Sequence, residues 1–472
     1  MKDNLDETLN ENKKGKGKDN ANMLASEPVG KLLLKLALPT LAAQIINMLY
    51  NIVDRIFIGH IPGNGAMALT GVGVCMPLIM IVTAFAALIS SGGAPRAAIF
   101  MGKGENENAE KTLGNCFTMQ IIVSLILTLV LLLWNREILL MFGASENTIE
   151  YATSYMNIYA IGTIFVQLTL GMNAFITTQG FASFGMISVL IGAVLNIAMD
   201  PIFIFGLGMG VRGAALATVI SQAVSCTWVM LFLTGKKTHL KIRLINMKLS
   251  AKIILPTMAL GTAAFIMQSS ESIIAICFNS SLLKYGGDIA VGAMTILSSV
   301  MQFAMLPLQG VGQGAQPILS FNYGAKNRER VKGTFKLLLK ASLTYSTLLW
   351  ALIMIFPQIF TGMFTDDAAL AAFTSPALRI YAAVLFMFGI QVACQMTFTS
   401  LGKAGSSIMV AVMRKFVLLI PLIYILPHIF AANRCKAVYM AEPCADFIAV
   451  VFTVCLFAVQ FRKALASMDK DV

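Results

Sequence analysis

The sequence predicts an all-α polytopic membrane protein, with twelve transmembrane helices in two six-helix repeats around a central cleft. Three observations predict it. Of 472 residues, 57% are hydrophobic and only 12% charged, with a mean hydropathy of +0.77; an ordinary soluble domain carries roughly twice that charge. Apolar stretches of bilayer-spanning length recur along the whole chain. The second half repeats landmarks of the first in the same order. The composition excludes a soluble enzyme, a disordered chain, a disulfide scaffold and a typical nucleic-acid binder.

A spanning helix needs about 20 mostly apolar residues. Such stretches fall near 36–58, 66–91, 114–134, 150–177, 184–206, 211–234, 253–279, 288–319, 337–357, 375–401, 406–430 and 437–461. They are too long and too free of polar alternation to be barrel strands. A helix also satisfies its own backbone groups in lipid, which an open sheet edge cannot do. The chain then divides into a disordered tail (1–30), an N-terminal bundle (31–235), a linker (236–252), a C-terminal bundle (253–461) and a tail (462–472).

Orientation follows from Lys and Arg. With twelve spans, alternate loops share a side with both termini. That side takes 28 of the 35 basic residues, including Lys403 to Lys415 and the Arg328/Arg330/Lys332 run, and the other side takes 7. The expectation is a multi-pass membrane protein with both termini in the cytoplasm. The net charge of +12 then reflects topology and contact with anionic lipid. The tail, with Lys13, Lys14, Lys16 and Lys18, lacks the apolar region of a signal peptide, and translation could begin at Met23. Of the eight Cys, Cys75, Cys116, Cys226, Cys277, Cys394 and Cys455 read as small apolar residues. Cys435 and Cys444 could pair. His60, His239 and His428 are too scattered for a metal site, so no metal and no cofactor are expected.

The duplication runs through ordered matches. Leu38-Pro39-Thr40 recurs as Leu255-Pro256-Thr257, and Asp54 as Glu271 at the same offset. Gly92, Pro95, Gly102 and Glu107 recur as Gly314, Pro317, Gly324 and Glu329; Gly180 and Ala182 as Gly402 and Ala404; Pro201 as Pro421. Six helices per repeat keep both repeats in one orientation, related by an axis along the membrane normal. Two such bundles enclose a cleft that rocking opens to each side in turn, which is the architecture of a secondary transporter. No GxxxxGK[ST] loop is present to bind ATP.

Carboxylates inside the spans are costly, about 2.5–3.5 kcal/mol each at a helix centre, and three stand out: Asp54, Asp200 and Glu271. Asp54 lies six residues before His60 and Asp200 six before Gly206, so each sits roughly 9 Å from the outer end of its span. Tyr155 and Thr218 reach the same level from Glu150 and Arg212. Asn196 is one turn deeper on the face of Asp200. Together these offer hard oxygen ligands for a cation. Burial and a like charge nearby both disfavour the ionised form, so the pair could also hold a proton and release it when a cation arrives. The structural alternatives are that Asp54 pairs with a base on another helix and that Asp200 braces the break at Pro201. Glu271 stands where Asp54 stands in the first repeat, as a cation or substrate site or as a structural residue. Asp200 has no acidic counterpart, because Ile420 precedes Pro421.

Met48, Tyr50, Met172, Phe175, Met199, Met267, Gln268 and Met301 are candidates for the cleft wall, since flexible Met and planar aromatic side chains suit varied apolar ligands. Most of the 29 Met and 30 Phe must still be packing or lipid-facing residues. Gly71-Val72-Gly73 and Gly310-Val311-Gly312, inside apolar spans, permit close packing or bending rather than nucleotide binding. Asp366-Asp367 reads as a solvated pair.

The string PTLAAQIINMLYNIVDRIFIGHIPG in the first span resembles the opening of MATE (multidrug and toxic compound extrusion) transporters. NIAMDPIFIFGLGMGVRGAALAT resembles that family's Asn-x-x-x-Asp-Pro segment followed by Gly-x-x-Gly-Ala-Ala. The likeness covers nearly all of 28–465, and the layout is closest to the MepA-like bacterial branch. Met199 stands where Leu is commoner. The resemblance implies export of small cationic, amphipathic compounds in exchange for H⁺ or Na⁺, by a monomer in contact with membrane lipids. It implies an N-lobe cation site at Asp54, Tyr155, Asn196, Asp200 and Thr218, and a C-lobe acid at Glu271. The competing readings are a narrow-substrate exporter, a flippase for lipid-linked precursors, which would need bases in the cleft, a membrane-embedded enzyme, and a channel.

Overall fold

The computed structural model describes residues 23–365 and 367–469. Lys13, Lys14, Lys16 and Lys18 of the tail, Asp366 and the last three residues lie outside them. Six helices form the N-lobe: α1 (Val29–Gly59), α2 (Gly65–Gly102), α3 (Asn106–Met141), α4 (Ile149–Thr178), α5 (Ala182–Pro201) and α6 (Val211–Thr234). The C-lobe begins with α7 (Ala251–Gly324), followed by α8 (Arg328–Ile355), the short α9 (Pro357–Gly362), α10 (Ala368–Tyr381), α11 (Leu385–Ser400), α12 (Ala404–Val412), α13 (Ile420–Ile429) and α14 (Arg434–Asp469).

Twelve spans can be traced among the described residues. Among the described residues ten helices are long and apolar enough to cross a bilayer, with α12 and α13 counted as one through the π-helical turn Met413–Leu419. α10 and α11, bent by 51°, supply another. α7 supplies two: a straight helix of its 74 residues would run about 110 Å, and it folds back at Gly287, where φ is 66° and ψ −165°, a backbone conformation that only glycine adopts at no steric cost.

The duplication is visible as a reciprocal contact. A Cβ built on Gly102 would collide with the carbonyl oxygen of Phe321, and one built on Gly324 with that of Ile99. Both pairs are related by the offset that relates Gly92 to Gly314, so α2 and the second limb of α7 cross on the pseudo-two-fold axis with no room for side chains. Gly92 also meets the carbonyl oxygen of Thr257, and Gly314 the backbone of Ala37. Gly71, Gly310 and Gly312 also sit against neighbouring helices, whereas Gly73 faces open space.

The apolar core shows how the lobes meet. At the end bearing the described termini, one cluster crosses both lobes and takes in Leu36, Ile89, Ile318 and Leu338. At the opposite end each lobe closes on its own cluster, around Ile58 and Tyr159 in the N-lobe and Phe278 and Tyr439 in the C-lobe. Among the described residues the hydrogen bonds between helices of opposite lobes fall on the terminal side, as in Thr40 Oγ1 to Gly310 O and Gln44 Nε2 to Gln313 Oε1, each 3.4 Å. The lobes therefore part away from the termini, and the Phe85–Phe265 ring pair, 4.9 Å between centroids, floors the cleft.

Several segments differ from the sequence expectation. Residues 23–27 are folded: Met23 and Leu24 are buried, and Leu24 O accepts from Asn322 Nδ2 (3.1 Å) and Arg330 Nη2 (3.0 Å). Arg330 is thus a clasp on the N-terminal segment rather than a free loop charge. Arg330→Ala is expected to cost about 1–2 kcal/mol and to speed proteolysis near Leu24; an unchanged cleavage rate counts against the clasp. The expected tail after 461 is helical through Asp469, whose Oδ2 accepts from Arg328 Nη1 at 2.5 Å. Asp367 caps α10, its Oδ1 accepting from Ala369 N (2.8 Å) and Leu370 N (3.3 Å). Cys435 and Cys444 are both free thiols; nine residues apart on one helix, they are separated by about 13 Å, too far for a disulfide.

The linker is strapped down. Gln179 Oε1 accepts from Thr238 Oγ1, His239 N and Leu240 N at 2.8–2.9 Å. Asn115 donates to Asn246 O (3.2 Å) and accepts from Ser250 N (2.7 Å).

Candidate functional site

The inward face of α5 carries Gly185, Ser188, Gly192, Ala193, Asn196 and Asp200, all buried. This three- and four-residue spacing keeps the face small until its last turn, where the polar pair appears. Pro201 follows, and the chain continues as the π-helical turn Ile202–Gly206, a departure from α-geometry often found at functional sites. Gly213 of α6 packs on Phe203 in that turn, with space for no Cβ, and this brings Thr218 toward α5.

Five side chains from four helices converge here. Asn196 Nδ2 lies 3.4 Å from both Asp200 Oδ1 and Thr218 Oγ1. The Asp54 and Asp200 carboxyls are close neighbours that feel each other's charge, and the buried Tyr155 lies in the field of Asp54. Asp54 is 8% exposed and Asp200 0%. Asp54 Oδ1, Asp200 Oδ2 and Asn196 Oδ1 are buried without a hydrogen-bond partner. No salt bridge among the described residues involves Asp54 or Asp200, which leaves no base for the structural alternative at Asp54. Two buried carboxylates side by side are stable only with a shared proton or a bound cation between them. The donors are carboxylate, amide and hydroxyl oxygens, a hard set suited to H⁺ or an alkali cation. Among the described residues no group of three or more His, Cys, Asp or Glu could hold a metal ion.

The cleft candidates separate into two groups. Met172 and Phe175 are fully buried in the apolar cluster shared by the lobes, with the Phe175 ring packed on Gly93; they are core residues and do not line the cleft. Met48, Tyr50, Met199, Met267 and Met301 are half-buried and Gln268 is exposed. Tyr50 lies one turn from Asp54 on α1. Met267 and Gln268 lie two and three residues beyond Phe265 on α7.

The C-lobe holds charges that the sequence reading missed. Arg414 and Lys415 sit inside the membrane-spanning unit, in the turn Met413–Leu419, and not on a basic loop. Lys415 Nζ donates to Glu271 Oε1 at 2.6 Å. Arg414 Nε donates to Asp446 Oδ1 at 2.5 Å and Nη2 to Glu442 Oε1 at 2.9 Å, and its guanidinium lies over the Phe388 ring, 4.8 Å from the centroid. The i, i+4 spacing of Glu442 and Asp446 within an apolar span was the available signal. Arg414→Met strands two buried carboxylates and is expected to cost about 3–5 kcal/mol; a melting curve in detergent that matches wild type would refute that assignment.

A model of the MatE family matches residues 39–202 and 262–425, one match in each lobe and together more than half the chain. The chain belongs to the MatE family. As a MatE protein it is a multi-pass membrane transporter of the multidrug efflux type, not an enzyme. It is 22% identical over 421 residues to the multidrug export protein MepA of Staphylococcus haemolyticus, covering 89% of this chain and 92% of that one. The MepA of Staphylococcus aureus is also 22% identical, over 85% of this chain and 88% of its own. Among solved structures, a MATE protein in a bent conformation superposes with a TM-score of 0.88 at 23% identity, covering 96% of this chain and 98% of that chain. An outward-facing multidrug resistance MATE transporter gives 0.85 at 23%, over 96% and 99%. A MOP superfamily transporter from Pyrococcus furiosus, described as having a binding pocket of reverse polarity, gives 0.86 at 22%, over 95% and 98%. At these identities the structures establish a shared fold, and the MatE assignment rests on the family model.

Proposed function

We propose that this MatE transporter exports cationic, amphipathic compounds in exchange for H⁺ or Na⁺ by alternating access. The observation that carries the reading is the buried Asp54/Asp200 pair, whose free oxygens are joined by that of Asn196, with the Thr218 hydroxyl 3.4 Å from the Asn196 amide. An aromatic and methionine-lined cleft admits the drug from the side of the termini. The cleft then opens away from them, an ion enters the carboxylate pocket, and drug affinity falls. Return releases the ion. Exchange of this kind requires ion and drug to favour different states. The terminal side is assigned to the cytoplasm, because basic loop residues still concentrate there once Arg414 and Lys415 are moved into the lobe.

The flippase reading calls for free bases to hold a pyrophosphate. The two bases buried in the C-lobe are matched by Glu271, Glu442 and Asp446, which disfavours it. The test is ethidium accumulation in efflux-deficient bacteria carrying wild type, Asp200→Asn or an empty vector. Lower accumulation with wild type alone is the expected result; equal accumulation in wild type and empty vector, at matched membrane expression, rejects the multidrug reading.

A further inference from the structure

We propose that Lys415 is a resident counter-ion of the C-lobe, its ammonium taking at Glu271 the place that an exchanged ion takes at the Asp54/Asp200 pair. The inference rests on the reading of that pair as the ion pocket, and extends it to say that the ion cycle runs through one lobe.

The repeat makes the comparison direct. Glu271 is the counterpart of Asp54, at the offset that relates Leu38-Pro39-Thr40 to Leu255-Pro256-Thr257. In the N-lobe the second acid, Asp200, precedes Pro201; in the C-lobe Ile420 precedes Pro421, so that acid is missing. What reaches Glu271 instead comes from the same region of the same repeat. Lys415 lies five residues before Ile420, in a π-helical turn just ahead of Pro421, whereas the N-lobe has its π-helical turn, Ile202–Gly206, just after Pro201. Its side chain is 4% exposed and its nitrogen is 2.6 Å from the carboxylate, while Glu271 is 54% exposed. The helix face that carries Glu271 also buries Ser270, Ile274 and Phe278, so that exposure opens into the lobe and not to lipid.

The surrounding charges leave Lys415 to Glu271. Asp446 and Glu442 on α14 are both held by Arg414, and Tyr381, buried, packs edge-on against the Phe278 ring. A small cation arriving at Glu271 would have to displace an ammonium anchored to the same protein, whose effective concentration is far above that of a free ion. A tethered ion cannot dissociate into either aqueous phase, so it neutralises the carboxylate in every state and carries nothing across. The N-lobe pair has no such tenant, and its charge must be balanced from solution.

The experiment measures Na⁺ binding to the purified full-length protein at alkaline pH, where protons compete least. Wild type is compared with an Asp54→Asn/Asp200→Asn protein, and further substitutions are made in the latter. Loss of saturable binding on going from wild type to that protein is expected; equal binding in the two defeats the Asp54/Asp200 reading itself and is scored separately. In the N-lobe-disabled protein, Lys415→Gln is expected to create one saturable Na⁺ site, Lys415→Arg to create none, and Glu271→Gln added to Lys415→Gln to erase it. Residual Na⁺ binding in the N-lobe-disabled protein that Glu271→Gln alone removes would overturn the proposal, and this arm needs no change at Lys415. So would a natively melting Lys415→Gln protein, or Lys415→Met if the former does not fold, that gains no site.

Discussion

Asp200→Asn is expected to lower ion-gradient-driven drug efflux about tenfold or more, while leaving drug binding in the absence of a gradient nearly unchanged. Asn keeps the shape of Asp and an oxygen for Asn196 Nδ2, now at 3.4 Å from Asp200 Oδ1, so packing is preserved and the charge alone is removed. One carboxylate then remains, at Asp54, so the pocket loses half of the charge that a bound ion would balance. The split between driven transport and binding is what separates a coupling role from a structural one. Reconstituted vesicles with an imposed pH or Na⁺ gradient provide the measurement. The rate in wild type should rise with the gradient of the coupling ion and the rate in the variant should be flat. A variant that follows the gradient as wild type does removes Asp200 from the coupling step.

The second large effect concerns the crossing of α2 and α7. Gly102→Val places a branched side chain against the carbonyl of Phe321, and Gly324→Val places one against that of Ile99. Backbone cannot retreat as a flexible side chain can, and overpacking of this kind costs about 1–3 kcal/mol. The contact exists only while the lobes are closed at the terminal end, so the cost falls on that state. The closed-to-open equilibrium should shift about 5- to 150-fold for such an energy. Spin-label distances between the terminal-side ends of α2 and α7 should lengthen in either variant, and by the pseudo-symmetry the two should resemble each other. Distances that match wild type in a folded variant would show that the glycines serve assembly rather than closure.

Much of this was legible in the sequence because depth in a membrane can be counted. Five or six residues from a helix end fix a level, which is why Asp54, Asp200, Tyr155 and Thr218 fall in one layer from four separate segments. Rotation about the helix axis is harder to read when both faces are apolar. Met172 and Phe175 have the right depth and composition for a cleft, and they face the core. Arg414 and Lys415 were counted with the loop bases because their partners, Glu271, Glu442 and Asp446, are on other helices and an ion pair between helices leaves no local pattern. The fold of residues 23–27 was hidden for a similar reason: what holds Leu24 is Asn322 and Arg330, roughly three hundred positions away.

The strapping of the linker bears on how the molecule moves as a machine. Gln179 and Asn115 bind the connection between lobes from Thr238 to Ser250 onto the N-lobe, so it cannot act as a slack tether that pays out during rocking. It travels with the N-lobe as a rigid arm, and the joint is confined to the few bonds between Ser250 and the start of α7. A stiff arm with one short joint restricts the motion to rotation about a fixed fulcrum. Sliding of one lobe past the other would first have to break the hydrogen bonds that hold the arm to the N-lobe.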